Sequence, residues 1–257
     1  MDVLAVVILS AVEGLTEFLP ISSTGHLMVT AAVLKLPPTE FLKSFEIFIQ
    51  LGAIFAVTLL YAKRLVVEIT LVKKLVVAFV PTAIIGFMSY SLVKDFLLGS
   101  LPIVAASLFA GGVILIFFEL WLTQKSSQPE QNLSEISYRQ AVIIGLWQTL
   151  AIIPGVSRAG ATIVGGLYLG LSRRAIVEFS FLLAIPTMLA AVGFDLYQTG
   201  GAFNWNEYMI LGFGFILSFA FALLTVKWLL SFVERHNFIW FGVYRLVVAL
   251  LISLFLL

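Results

Sequence analysis

The 257-residue sequence contains no cysteine, and only 11% of its residues are charged. Without cysteine, neither a disulfide framework nor thiolate catalysis is available. Soluble domains carry about 25% charged residues, whereas 61% of this chain is hydrophobic. A net charge of +1 gives no electrostatic basis for binding nucleic acid, so no such partner is expected. We predict an integral membrane protein in contact with membrane lipid.

The apolar runs are continuous and do not alternate with period two, which favours an all-α protein over a barrel. A membrane-spanning helix needs about 20 apolar residues. The first two runs, residues 3–12 and 27–34, are too short and flank a polar stretch. Together they predict a re-entrant hairpin, whose irregular tip is tolerated at membrane depth when protein surrounds it. The first run lacks a basic flank, so we expect it to be retained.

The segment pattern occurs twice. The first hairpin is followed by predicted spans at about 45–62, 75–93 and 102–122, and then by a polar linker at 123–138. A second hairpin at 141–171 is followed by predicted spans at about 179–197, 208–230 and 238–257. We predict one polytopic domain, 1–257, with repeats 1–125 and 136–257. An offset near 135 residues aligns Ser22 with Ser157 and Gly25 with Gly160.

Three crossings per half would invert the second half relative to the first, as in many transporters whose site lies between the repeats. Ten lysines and arginines fall on one predicted face and three on the other, namely Lys35, Lys43 and Lys94. The positive-inside rule places the richer face in the cytoplasm. Both termini, and the opening of the first hairpin, are then expected on the outer side of the membrane.

The first hairpin carries a polar motif at residues 13–26, Glu-Gly-Leu-Thr-Glu-Phe-Leu-Pro-Ile-Ser-Ser-Thr-Gly-His. Glu13 and Glu17 are four residues apart, so they share one helix face. Two carboxylates in a membrane need a compensating charge. A divalent cation, Mg²⁺ or Ca²⁺, would suit them as metal ligands. The alternative is a protonated glutamate bonded to nearby hydroxyls.

The hydroxyl residues and the histidine at the end of this motif allow two interpretations. Ser22, Ser23 and Thr24 could cap the return helix. A hydroxyl close to His26 is also the arrangement used for nucleophilic attack with a general base. We favour catalysis or phosphate contact, because the motif lies in an otherwise apolar chain.

The second hairpin carries Pro-Gly-Val-Ser-Arg-Ala-Gly-Ala-Thr at residues 154–162, which resembles a phosphate cradle. Gly155 and Gly160 permit close backbone approach, Ser157 and Thr162 offer hydroxyls, and Arg158 offers a bidentate fork. The return helix would add its N-terminal N–H groups.

Two arginines inside predicted membrane segments keep alternative readings. Arg158 could be structural, paired with Glu13 or Glu17, and both roles are compatible if the pair loosens when phosphate arrives. Arg245 could extend to the interface or contact phosphate.

The two motifs resemble the undecaprenyl-diphosphate phosphatase family, also called the bacitracin-resistance family. One departure is Ala159, where the family usually has serine. The resemblance implies a bacterial plasma-membrane enzyme that converts undecaprenyl diphosphate to the monophosphate. It would thereby recycle the lipid carrier of cell-wall synthesis and lower sensitivity to bacitracin.

A mechanism follows as a hypothesis. Ser23 is the preferred nucleophile and His26 its general base or acid, with Glu17 and Arg158 as further catalytic residues. Glu13 and Glu17 would hold the cation. The expected phosphate contacts are Ser22, Thr24, Gly25, Ser157, Arg158, Gly160 and Thr162. Ser22 as nucleophile, or direct attack by water, stays open.

Two other classes compete with the phosphatase. A transporter or flippase of a lipid phosphate would share the repeat architecture, and a lipid-scaffold protein would leave the glutamate pair unexplained. The sequence leaves open whether the chain forms a homodimer.

Overall fold

The computed structural model describes residues 1–89, 99–123, 133–199 and 203–257, and this part of the chain forms ten α-helices. Their bounds are α1 Val3–Thr16, α2 Ser23–Val33, α3 Glu40–Val67, α4 Ile69–Met88, α5 Leu101–Thr123, α6 Tyr138–Gln148, α7 Arg158–Tyr168, α8 Arg173–Thr199, α9 Trp205–Arg235 and α10 Ile239–Phe255. Two 3₁₀ turns lie at Leu133–Glu135 and Thr149–Ile152. The predicted all-helical class is confirmed for these residues.

Within the described ranges, five helices are long and apolar enough to cross a membrane: α3, α4, α5, α8 and α9. Large apolar side chains on their outer faces are exposed, for example Phe55, Phe117 and Leu224. Exposed apolar surface on this scale indicates contact with lipid. The prediction of a multi-pass membrane protein is therefore confirmed.

The sixth predicted span, 238–257, falls on α10, which has 17 residues. A helix of this length extends about 25 Å, a little less than the roughly 30 Å of the hydrocarbon core. Residues 90–93 of one predicted span, residues 124–132 of the predicted linker, and Lys94 lie outside the described residues.

Each predicted hairpin is a pair of short helices joined by an irregular loop. We call residues 17–22, between α1 and α2, loop 1. We call residues 153–157, which lead into α7, loop 2. Helices α2 and α7 both have eleven residues. Both begin a few residues earlier than predicted, since serines 22 and 157 already cap them.

The longer helices hold the two loops in place. Helix α9 packs against α1 and α3, α10 packs along α5, and α8 packs against α3, α4 and α7. Within loop 1, the ring of Phe18 meets that of Phe181 edge to face, with centroids 5.2 Å apart. Phe18 is completely buried, so loop 1 rests on the packed interior.

Candidate active site

Loops 1 and 2 touch each other, although more than 130 residues separate them in the sequence. The Ser157 hydroxyl lies 3.5 Å from the carbonyl oxygen of Leu19. Gly155 has a φ of +91°, and a Cβ there would lie 2.8 Å from Ser107 Cβ. Only glycine fits this position, for reasons of both conformation and space.

Ser22 and Ser157 have the same unusual backbone. Their φ angles are 72° and 74°, values that non-glycine residues adopt only at a cost of about 1–3 kcal/mol. Each hydroxyl accepts the N–H of the residue three positions on, Gly25 at 3.3 Å and Gly160 at 3.0 Å. Both caps therefore follow the predicted offset of 135 residues, and they aim the first turns of α2 and α7 at one place.

Glu17, in loop 1, contacts the first residues of both α2 and α7. One carboxylate oxygen, Oε2, accepts a hydrogen bond of 2.5 Å from the Ser23 hydroxyl. The other, Oε1, lies 3.0 Å from Arg158 Nη2. Glu17 and Arg158 are both buried, so this ion pair is shielded from solvent. The predicted pairing of Arg158 with a glutamate is therefore observed, and the partner is Glu17.

Arg158 is held from its other side by α8. Its Nη1 donates to the Ser180 carbonyl at 2.6 Å. The hydroxyl of Thr162 is 2.6 Å from that of Ser180, so Thr162 supports this arrangement from behind. Arg158 Nε is buried and has no hydrogen-bond partner among the described residues. The guanidinium is therefore not fully paired in this part of the chain.

A pocket of about 200 Å³ opens in front of these groups. One wall is polar and is formed by Glu17, Ser22, Ser23, Thr24, Ser157 and Arg158. The rest of the lining is largely apolar; this apolar wall includes Ala151, Ile152, Ile153, Pro154 and Met188. The site can therefore take a molecule with an anionic end and an apolar chain.

Glu13 lies one helical turn before Glu17, as predicted, since the Glu17 N–H donates to the Glu13 carbonyl at 2.9 Å. Its side chain is completely buried. Both carboxylate oxygens lack a hydrogen-bond partner in the described ranges. The charges that act on it are those of Glu17, Glu46 and Arg158. A carboxylate in this position needs a cation or a proton.

His26 lies outside the lining of the pocket. Its Nδ1 is 2.7 Å from the Ser22 carbonyl, and its Nε2 is 2.9 Å from the Tyr244 hydroxyl. Because a carbonyl only accepts, Nδ1 carries the proton and Nε2 accepts from Tyr244. Both ring nitrogens are therefore occupied, and neither of them bonds Ser23.

The structure thus brings together six of the predicted site residues on the polar wall. Gly25 and Gly160 do not line the pocket. Their N–H groups donate to the capping hydroxyls of Ser22 and Ser157. Thr162 is completely buried behind Arg158. The predicted convergence of Ser23, Glu17 and Arg158 is observed, and His26 does not join them.

The comparison with known families agrees with the motifs. Residues 6–251 match the family described as "Bacitracin resistance protein BacA". The chain belongs to this family. The resemblance noted from the two motifs is therefore confirmed.

Relatives within this family are similar over their whole length. The protein named "Undecaprenyl-diphosphatase" from Aquifex aeolicus is 49% identical, with 98% of this chain and 97% of the relative covered. The relative of the same name from Thermus thermophilus is 47% identical, with 97% and 96% covered. The one from Methanococcus aeolicus is 40% identical, with 99% of both chains covered.

Sequence reasoning did not identify Ser180, Tyr244 or Met188. Ser180 holds Arg158 through its main-chain carbonyl, a contact that leaves no side-chain signature. Arg245 follows neither predicted alternative. It is 1% exposed and bonds main-chain carbonyls, including that of Pro20 in loop 1.

Proposed function

We propose that this chain hydrolyses undecaprenyl diphosphate to undecaprenyl phosphate and inorganic phosphate. The observation that carries the proposal is the placement of Glu17 between the Ser23 hydroxyl and Arg158, in a pocket that also has an apolar wall. The names of the relatives supply the substrate. The polar wall suits the diphosphate, and the apolar wall suits the first isoprene units of the lipid.

In the first step, Ser23 Oγ attacks the terminal phosphorus and its proton passes to Glu17 Oε2. The bond from this phosphorus to the bridging oxygen breaks, and undecaprenyl phosphate leaves. Arg158, which lines the pocket, neutralises charge on the phosphoryl oxygens. Positioning and charge stabilisation are most of what phosphoryl transfer requires.

In the second step, water attacks the phosphoserine and inorganic phosphate leaves. Glu17 has by then given its first proton to the departing undecaprenyl phosphate. It accepts a proton from the attacking water and passes it to the Ser23 oxygen as the bond between that oxygen and phosphorus breaks. Glu17 is our choice of base because it is the group that bonds Ser23. His26 then acts through loop 1, whose Ser22 carbonyl it binds.

We propose Glu13 and Glu17 as the ligands of a divalent cation, Mg²⁺ or Ca²⁺. Support comes from the two buried Glu13 oxygens, which lack partners in the described part of the chain. Magnesium sites often combine one or two carboxylates with substrate phosphates. When bound, the cation would supply positive charge beside the diphosphate. A chelator should therefore abolish turnover, and Mg²⁺ or Ca²⁺ should restore it.

We propose that the two halves, 1–125 and 136–257, are inverted repeats and that α1–α2 and α6–α7 are re-entrant hairpins. The equal lengths of α2 and α7 and the matching caps at Ser22 and Ser157 support the repeat. The lysine and arginine distribution supports termini and a site opening on the outer side of the plasma membrane. There the enzyme would recycle the carrier lipid and confer bacitracin resistance.

Phosphate release tests the proposal against a transporter. The purified protein in detergent is given undecaprenyl diphosphate, and inorganic phosphate is measured. A phosphatase releases phosphate at a rate proportional to enzyme, and Arg158→Ala abolishes it. A flippase releases none, because transport breaks no phosphoanhydride bond, and detergent removes the two compartments between which transport is measured.

A further inference from the structure

Arg245 is the largest fully buried side chain outside the pocket, and every one of its donors is used. Its Nε donates to Leu108 at 3.3 Å. Its Nη1 donates to Pro20 at 3.1 Å and to Val156 at 3.0 Å, and its Nη2 donates to Ser107 and Gly155 at 3.0 Å each. All five acceptors are main-chain carbonyl oxygens. Five N–H groups in a rigid plane are the full capacity of a guanidinium.

The five carbonyls belong to three separate segments. Pro20 lies in loop 1, Gly155 and Val156 lie in loop 2, and the remaining two lie in α5. One side chain of α10 therefore fixes both loops to each other and to α5. Lysine could not do this, because its ammonium offers only three donors from a single point.

The surroundings of Arg245 are shaped for its guanidinium. A Cβ added at Gly111 would lie 2.0 Å from Nη2, so glycine is needed there. No ion pair in the described ranges includes Arg245. Its buried charge is balanced by carbonyl dipoles, an arrangement that costs far less than an unpaired charge.

We infer that Arg245 is a positioning residue for the reaction: it locks loops 1 and 2 in one arrangement, so that Ser23 and Arg158 face the same phosphate. This inference rests on the proposed function. Ser23 follows directly after loop 1 and Arg158 directly after loop 2. A relative shift of the loops by about 1 Å would misalign the Ser23 hydroxyl and the Arg158 guanidinium. A misplacement of this size costs about 10²-fold in rate.

The kinetic test compares Arg245→Met, Arg245→Lys and Gly111→Ala with two controls. Arg235→Met removes an exposed arginine, and Gly212→Ala adds a Cβ to open space. We expect Arg245→Met to lower kcat about 100-fold with KM nearly unchanged. Arg245→Lys should recover part of the loss, and Gly111→Ala should lower kcat although the charge is kept. Normal kcat in a monodisperse Arg245→Met or Gly111→Ala protein overturns the inference.

A distance measurement separates this inference from the proposed function. Because the chain has no cysteine, Leu15→Cys and Leu150→Cys place two spin labels at chosen positions, just before loop 1 and just before loop 2. Both positions are exposed, at 43% and 45%. The distance distribution should broaden or shift with Arg245→Met and Gly111→Ala, and stay unchanged with the controls. If phosphate is never released but the distribution still changes, the function is wrong and the loop lock stands. An unchanged distribution refutes the lock.

Discussion

Replacing Glu17 by glutamine removes one charge and leaves the shape of the side chain nearly intact. In the native site, one carboxylate oxygen accepts from Ser23 and the other accepts from Arg158. A glutamine has only one acceptor oxygen, and its NH₂ group is a donor. If that oxygen stays on Arg158, the NH₂ group faces Ser23 and can only donate to its hydroxyl. Ser23 then loses the acceptor for its own proton.

Two effects on activity and stability follow. Loss of the base removes general acid–base catalysis, which contributes about 10²–10⁴-fold to the rate. We therefore expect kcat to fall by at least about 100-fold. Loss of one charged hydrogen bond in a buried site should lower the free energy of unfolding by about 1.5–3 kcal/mol. Arg158 keeps its bond to the Ser180 carbonyl, so the fold survives.

The assay is phosphate release from undecaprenyl diphosphate in detergent, with thermal unfolding followed on the same preparations. Glu135→Gln, at an exposed site, is the matched control and should change neither quantity. A Glu17→Gln protein that turns over normally would refute the assignment of Glu17 as base. A scaffold protein predicts the loss of stability without any activity to lose.

Three further predictions concern neighbouring groups. Glu13→Gln should leave the melting temperature unchanged or raise it, since it removes a buried charge whose oxygens lack hydrogen-bond partners in the described part of the chain. The same variant should be activated less by Mg²⁺. A clear drop in melting temperature would contradict this prediction. His26→Asn should retain more turnover than His26→Ala, because the amide can still donate to the Ser22 carbonyl, whereas a catalytic base predicts equal losses. Met188→Ser should raise the KM for prenyl diphosphates up to about tenfold by removing apolar contact, while the inhibition constant of inorganic diphosphate stays unchanged. An equal rise in this KM and in the inhibition constant would refute the apolar wall as a lipid contact.

Much of the site could be predicted from the sequence because its residues are anomalous in their setting. Glu13, Glu17 and Arg158 are charges in apolar segments, and such residues need partners or a ligand. The offset between Ser22 and Ser157 predicted equivalent positions, and the structure gives them the same cap and the same φ. Contact between the two loops followed from the repeat.

The remaining features depend on the main chain or on distant contacts. Arg245 bonds five carbonyls, and any residue provides a carbonyl, so no side-chain pattern reveals its partners. The histidine was predicted as a base from proximity in sequence. Its orientation toward Tyr244, 218 residues away, is set by the packing of α10 and left no signal in the motif. The starts of α2 and α7 were predicted a few residues too far along the chain, because a capping serine is short and polar and does not belong to the apolar run.

The phosphoenzyme tests the central claim most directly. The protein is mixed with undecaprenyl diphosphate carrying a labelled terminal phosphate, quenched in acid within one turnover, and digested. If Ser23 is the nucleophile, the label appears on the peptide containing Ser23, and Ser23→Ala shows neither label nor turnover. Label on Ser22 in the native protein, or near-normal turnover by Ser23→Ala, would show that Ser23 is not the nucleophile.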